Sequence, residues 1–141
     1  MTRAPTNWLL LTSRHSWNVM ASHGAWAFSE TRRRAAKAIR NGDLGIVYCT
    51  GESNFVAVIE FDGNLREMPE GKSANILFPL EMGFRARAMP AQGVPIRPLI
   101  PSLEFISNKR NWQSHLQGKA IRSLPPDDFR IISGGLSERG T

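Results

Sequence analysis

Trp8-Leu9-Leu10-Leu11-Thr12-Ser13-Arg14-His15-Ser16-Trp17, running on to Gly24-Ala25-Trp26, is the stretch on which the fold turns. The apolar run Trp8 to Leu11 reads as a strand covered on both faces, because a strand with one wet face would alternate with polar residues. Thr12 to Ser16 then supply turn and N-cap chemistry. Trp17-Asn-Val-Met-Ala-Ser-His23 reads as a two-turn helix closed by Gly24, which tolerates the left-handed conformation at a helix end. Trp26 is read as the start of a loop.

Downstream of this unit, Ser29 is placed to cap a helix over 30–41. Ala35, Ala38 and Ile39 form its apolar stripe, Arg33, Lys37 and Arg40 share another face, and Asn41-Gly42 ends it. Asp43 to Cys49 and Phe55 to Phe61 read as an antiparallel hairpin joined by a five-residue, Gly-containing turn. Residues 62–81, with two glycines and two prolines, read mostly as a surface excursion. Phe84 to Ala88 alternates with period two, a half-exposed strand. Val94 to Pro98 is extended but not central, since its prolines remove ladder donors. Ile100 to Ile106 and Arg110 to Leu116 are short helical segments. Pro125 opens a helical turn with Asp127 and Asp128 offsetting its dipole, Phe129 to Ile132 reads as a strand, and residues 133–141 as a flexible tail. No internal repeat is present.

Charge points to a polyanionic partner. The net charge of +6 is segregated: residues 1–51 and 82–130 each carry +5, while 52–81 carry −4. Arg supplies 14 of the 18 cations, and its planar fork suits phosphates and base edges better than the point charge of Lys. A basic surface serving only solubility is the plainer alternative.

With 141 residues and 41% hydrophobic content, a single soluble domain is expected, with a core about 7–132. The short polar start lacks the features of a secretory signal, so a cytoplasmic location is expected. A lone Cys49 and three scattered histidines at 15, 23 and 115 argue against a metal site. Phosphate-loop and nucleophile-elbow motifs are absent, and Ser114-His115 has no visible orienting group, so neither catalysis nor a cofactor is expected.

Asn7-Trp-Leu-Leu-Leu-Thr-Ser13, Trp17, Gly24-Ala-Trp26, Gly42-Asp43, Ile46-Val-Tyr48 and Phe55-Val-Ala-Val-Ile59 together resemble the EVE-domain family. Leu99 to Lys109, Trp112, His115-Leu-Gln-Gly-Lys119 and Ile121 to Phe129 follow its closing pattern. The resemblance covers about residues 7–132. It implies a PUA-like fold, an α+β arrangement in which a strongly curved, barrel-like mixed sheet is flanked by short helices. It also implies kinship with YTH domains, which read methylated adenine; EVE relatives are also associated with modified cytosine. On that resemblance Trp26 walls an aromatic pocket, Thr12, Ser13 and Ser16 touch the base edge, and the segment from Asn108 to Lys119 contacts base and backbone. Asn108 belongs with the base, and Lys109, His115 and Lys119 with phosphate. Residues 62–81 offer Phe78 as a further cage aromatic.

From the residues themselves, Trp17 is open between pocket and core, and Tyr48 between offering its hydroxyl to a base edge and being a satisfied core phenol. Trp8 and Trp112 are assigned to the core. Only the Arg33-Lys37-Arg40 face of the basic helix makes a coherent phosphate track; a solvated helix face is the alternative. The expected function is a non-catalytic module that binds single-stranded or flipped-base DNA or RNA carrying a modified base. The alternative is an RNA-binding accessory of RNA processing with no such selectivity. Neither membrane nor metal is expected as a partner.

Overall fold

A computed structural model describes residues 5–69, 72, 73, 78–118 and 120–139. β1 (Asn7–Thr12) is followed by α1 (Arg14–His23), β2 (Ala25–Phe28), a 3-10 turn at Glu30–Arg32 and α2 (Arg33–Lys37). Next come β3 (Leu44–Cys49), β4 (Asn54–Glu67), β5 (Leu80–Ala88), β6 (Val94–Pro95), two 3-10 segments (Arg97–Ser102 and Trp112–His115), β7 (Ile121–Ser123) and α3 (Pro126–Arg139). The strands form one curled mixed sheet in the order β2-β5-β4-β3-β1-β7, with β6 paired to the start of β4. β1 runs parallel to β3 and antiparallel to β7.

The unbroken apolar run of β1 follows from its position. Leu10 packs on one face with Trp17, Trp26 and Phe61, while Leu9 packs on the other with Ile46, Phe55 and Trp112; both leucines are fully buried. α1 begins at Arg14, earlier than its apolar residues suggest, because Ser13 Oγ accepts from the Ser16 N–H at 3.1 Å. Gly24 ends it in the left-handed region at φ 70°. The Leu44–Cys49 and Asn54–Glu67 hairpin forms as expected, with a register shift between Val47 and Tyr48.

Four readings of the sequence are corrected. Trp26 lies in a strand rather than a loop: β2 pairs antiparallel with β5, Trp26 opposite Met82. The expected helix over 30–41 is a 3-10 turn followed by a five-residue helix capped at Ala38. Asp43 accounts for the early stop, since its Oδ2 accepts from the Arg40 N–H at 2.9 Å, a side-chain alternative to a helical bond. The excursion over 62–81 is shorter than expected because β4 continues through an irregularity to Glu67 and β5 begins at Leu80. Gly63, at φ 78°, makes that continuation possible; a Cβ there would lie 2.3 Å from the Asn41 nitrogen.

The fourth correction concerns the C-terminus. Phe129 to Ile132 is not a strand and residues 133–139 are not a tail, because α3 runs to Arg139. Ile132 and Leu136, one turn apart and both fully buried, anchor it. Two glycines cost a helix roughly 1 kcal/mol each, but Gly135 faces Val94, where an added Cβ would already stand 3.4 Å from a methyl. Tertiary packing outweighs propensity here. Asp128, fully buried, accepts the Glu104 and Phe105 N–H groups at 2.8 and 2.9 Å. It lies with Asp127 in the first turn of α3, as read in the sequence, and in addition stitches the helix to the preceding loop.

Candidate nucleic-acid interface

Where β1 ends and α1 begins, the chain leaves a cleft of about 250 Å³. Trp26 and Phe28 of β2, Met20 of α1 and Phe78 provide apolar wall; Thr12 and Ser16 provide hydroxyls; Arg32 is the one cation lining it among the described residues. The Ser16 N–H is taken by the Ser13 cap, and the Thr12 carbonyl accepts from the Thr50 N–H at 3.0 Å. A patch of indole, the hydroxyls of Thr12, Ser16 and Ser29 and a guanidinium at one opening suit a planar, hydrogen-bonding heterocycle attached to an anionic backbone.

Behind the wall the rings are sealed. Trp26 is 4% exposed and Trp17 2%, so the first borders the cleft by a small patch and the second does not reach it. Trp17 stacks on Phe84 (centroids 5.8 Å, 20°) and tilts against Trp26 (6.1 Å, 38°), which holds the Trp26 ring in place from behind. Its open assignment between pocket and core resolves to core. Ser13, expected at the base edge, is instead consumed by capping α1. Met20 contributes its sulfur to the Ala27 N–H at 3.3 Å, a further brace of β2 against α1.

Tyr48 and Asn108 are not brought to this cleft. Tyr48 is 2% exposed on the opposite face of the sheet, its ring 5.2 Å from Phe55 and its hydroxyl bonded to Ser53; burial pushes its pKa up. There it lines a separate opening of about 170 Å³ with Trp112, Leu116 and Gln117. Asn108 uses its side-chain oxygen on the Asn111 N–H (3.1 Å) and its own N–H on His115 Nε2 (3.0 Å). His115 is thereby a strut in the loop, accepting rather than donating. The Lys109 ammonium reaches back to the Ile100 and Leu103 carbonyls at 2.9 and 2.6 Å, closing the end of a 3-10 segment. These three residues are occupied in shaping their own loop. Lys119 lies outside the described residues.

The phosphate track expected on a long basic helix is not formed, because α2 ends at Lys37 and Arg40 lies beyond it. Arg33 is held by two carboxylates, Glu30 Oε1 and Glu67 Oε1, both at 2.6 Å, which raise its pKa and cancel its charge locally. Lys37 and Arg40 are exposed. Arg32, outside the expected phosphate face, is the cation that lines the cleft among the described residues: its Nη2 donates to the Gly118 carbonyl at 3.1 Å, spanning from the 3-10 turn to the loop before β7. No sequence signal separates it from Arg33 and Arg34. Their partners do so: the Gly118 carbonyl for Arg32, Glu30 and Glu67 for Arg33.

A larger basin of about 630 Å³, lined among others by His23, Asp62, Arg66, Glu81 and Arg85, is open and charge-balanced. Arg66 pairs with Glu81, and Arg85 and Arg87 with Glu60. Among the described residues no group of three or more His, Cys, Asp or Glu is placed to hold a metal ion, and no helix is long and apolar enough to cross a membrane. The Cys49 thiol is buried and its pKa raised by that burial.

No family model matches the chain. A UPF0310 protein of Pyrococcus abyssi is 28% identical over 141 residues, covering 92% of this chain and 98% of that protein. Among solved structures, the YTH domain of Zygosaccharomyces rouxii MRB1, in complex with N6-methyladenosine RNA, superposes with a TM-score of 0.66 at 15% identity, covering 98% of this chain and 90% of that one. Human THYN1, in complex with DNA containing 5-methylcytosine, gives a TM-score of 0.63 at 12% identity over 96% of this chain and 98% of that one. The fold is therefore the PUA-like one that the sequence resemblance implied, a curled mixed sheet flanked by short helices.

Proposed function

We propose that this chain is an EVE-type reader of a modified nucleobase, holding the base in the Trp26 cleft without turning it over. The observation that carries the reading is the grouping of Trp26, Thr12, Ser16 and Arg32 around one opening of about 250 Å³. Support also comes from the solved neighbours of the same fold, one bound to RNA with N6-methyladenosine and one to DNA with 5-methylcytosine. The residues described as lining the cleft include no histidine, carboxylate or thiol to move a proton, which favours binding over catalysis.

Stacking a base on an aromatic ring contributes about 1–3 kcal/mol. A buried methyl adds roughly 0.8 kcal/mol, only about fourfold in affinity, so selectivity for the modification rests on the hydroxyls of Thr12 and Ser16 as well as on fit. Flipping a base from a duplex costs a few kcal/mol, and unpaired strands are the preferred partners.

The test is a titration of single strands differing only in one modified base. Wild type binds the modified strand more tightly, and Trp26→Phe, which keeps a ring in the core, lowers the ratio of modified to unmodified affinity. Ser16→Ala and Thr12→Val lower it without touching the aromatic cluster. Equal affinity of wild type for modified and unmodified strands would sink the reading. It would leave the second one, an RNA-binding accessory protein, which the exposed Arg34, Lys37 and Arg40 favour.

A further inference from the structure

The opening on the other face of the sheet is separated from the Trp26 cleft by one short segment. Leu116 and Gln117 line the second opening while Ala120 and Ile121 line the first, and the three residue steps from Gln117 to Ala120 span at most about 10 Å. On the strand side the two are joined at Thr50 and Thr12, bonded to each other at 3.0 Å. A chain lying across this partition can therefore present successive groups to both openings.

The second opening has the chemistry of a ring site. Tyr48 and Trp112 are each almost wholly buried yet line it, and both are immobilised, Tyr48 by Ser53 and Phe55 and Trp112 by the Arg97 guanidinium 5.6 Å from its ring centre. Gln113 and Gln117 are exposed at its edge, and the bond from the Gln117 N–H to the Gln113 carbonyl (3.1 Å) closes a helical turn that sets both on one side. Its size is selective. An apolar cavity of about 150 Å³ holds one benzene, so about 170 Å³ takes one six-membered ring.

We propose that this opening is a subsite for a pyrimidine base adjacent to the one held at Trp26, packed against Trp112 and read at its edge by the Gln113 and Gln117 amides. The proposal rests on the function proposed above. Each amide carries both a donor and an acceptor, so the pair suits cytosine and uracil or thymine alike and selects the class rather than one base. A purine's two fused rings would have to project from the mouth, and an abasic neighbour forfeits the stacking.

Two measurements test it. In the first, single strands carry the modified base at a fixed position and a pyrimidine, a purine or an abasic site at each neighbour in turn. On one side only, the abasic replacement weakens wild-type binding about tenfold or more, and in the Gln113→Ala/Gln117→Ala protein, which keeps the Trp112 face but loses the edge contacts, that loss is at least about twofold smaller. Absence of any neighbour effect in a protein that still prefers the modified base overturns the subsite and spares the Trp26 reading. In the second, cytidine monophosphate is added to the isotope-labelled protein. Shifts of the Trp112 indole and the Gln113 and Gln117 side-chain amides are expected. Their absence at millimolar concentration overturns the subsite, whatever the fate of the Trp26 cleft.

Discussion

The two faces of the sheet both bury tryptophan, yet they spend their polar residues differently. On the Trp26 face the aromatic cluster is self-sufficient, Trp17 between Trp26 and Phe84, and the nearby hydroxyls of Thr12 and Ser16 remain at an opening. On the Trp112 face the covering layer consists of 3-10 segments and α3, irregular backbone whose N–H and C=O groups need partners. Asp128, Lys109, Asn108 and His115 supply them. Those four side chains are drawn into satisfying the backbone, whereas Thr12 and Ser16, and Gln113 and Gln117, stay at their openings.

The largest effects separate the faces through their cores. Trp26→Ala is expected to cost stability by about 3–5 kcal/mol and, in the protein that remains folded, to remove the preference for modified strands. Trp112→Ala should cost a comparable amount in urea denaturation but leave that preference in place. If both variants abolished the preference in folded protein, the functional division between the faces would fail.

Next in size is Asp128→Ala, which leaves two buried N–H groups without their carboxylate. A loss of about 2–4 kcal/mol in the unfolding free energy is expected, with nucleic-acid affinity unchanged below the unfolding transition. A variant as stable as wild type would mean that the loop over 104–105 finds other partners.

Adjacent arginines sharpen the contrast between spent and available charge. Arg32→Gln should weaken nucleic-acid binding severalfold and reduce the salt slope by about one, whereas Arg33→Gln, already neutralised by Glu30 and Glu67, should change affinity less than about twofold. The opposite ranking, measured by titration at several salt concentrations, would place the phosphate contact on α2.

The smallest expected effect is one of pH. The Arg14 guanidinium lowers the pKa of Glu52, at 2.8 Å, and Arg33 lowers that of Glu30. A carboxylate depressed in the folded state contributes stability above its unfolded pKa and loses it as pH falls through the folded value. The loss should begin below about pH 4 and be slight, since both pairs are exposed. Glu52→Gln should flatten that limb of the pH–stability curve, read by thermal unfolding at fixed ionic strength.

Most of the strands were legible because period and composition report burial directly: Trp8 to Leu11, the hairpin of β3 and β4, and the alternation of Phe84 to Ala88 all became strands. The cleft was legible in part. Trp26, Thr12 and Ser16 do share one opening, whereas Trp17, Ser13, Tyr48 and Asn108 are held elsewhere, and Arg32 was passed over. The misreadings have a common cause. All three were judged from local propensity: the supposed tail and the loop at Trp26 are decided by distant partners, Val94 for Gly135 and Met82 for Trp26, while helix 30–41 is cut short by Asp43, three residues beyond Arg40.

By itself the sequence determined most of where the chain is extended, where α1 ends, and which residue types surround the first turn, because those depend on backbone sterics and on the alternation of side chains along a strand. Which tryptophan borders solvent, which arginine's charge is already paired and which amide or imidazole is consumed by the backbone were decided only in the tertiary structure. A side chain's availability depends on what lies within about 3 Å of it, and for Arg33 and Glu67 that neighbour is 34 residues away in the chain.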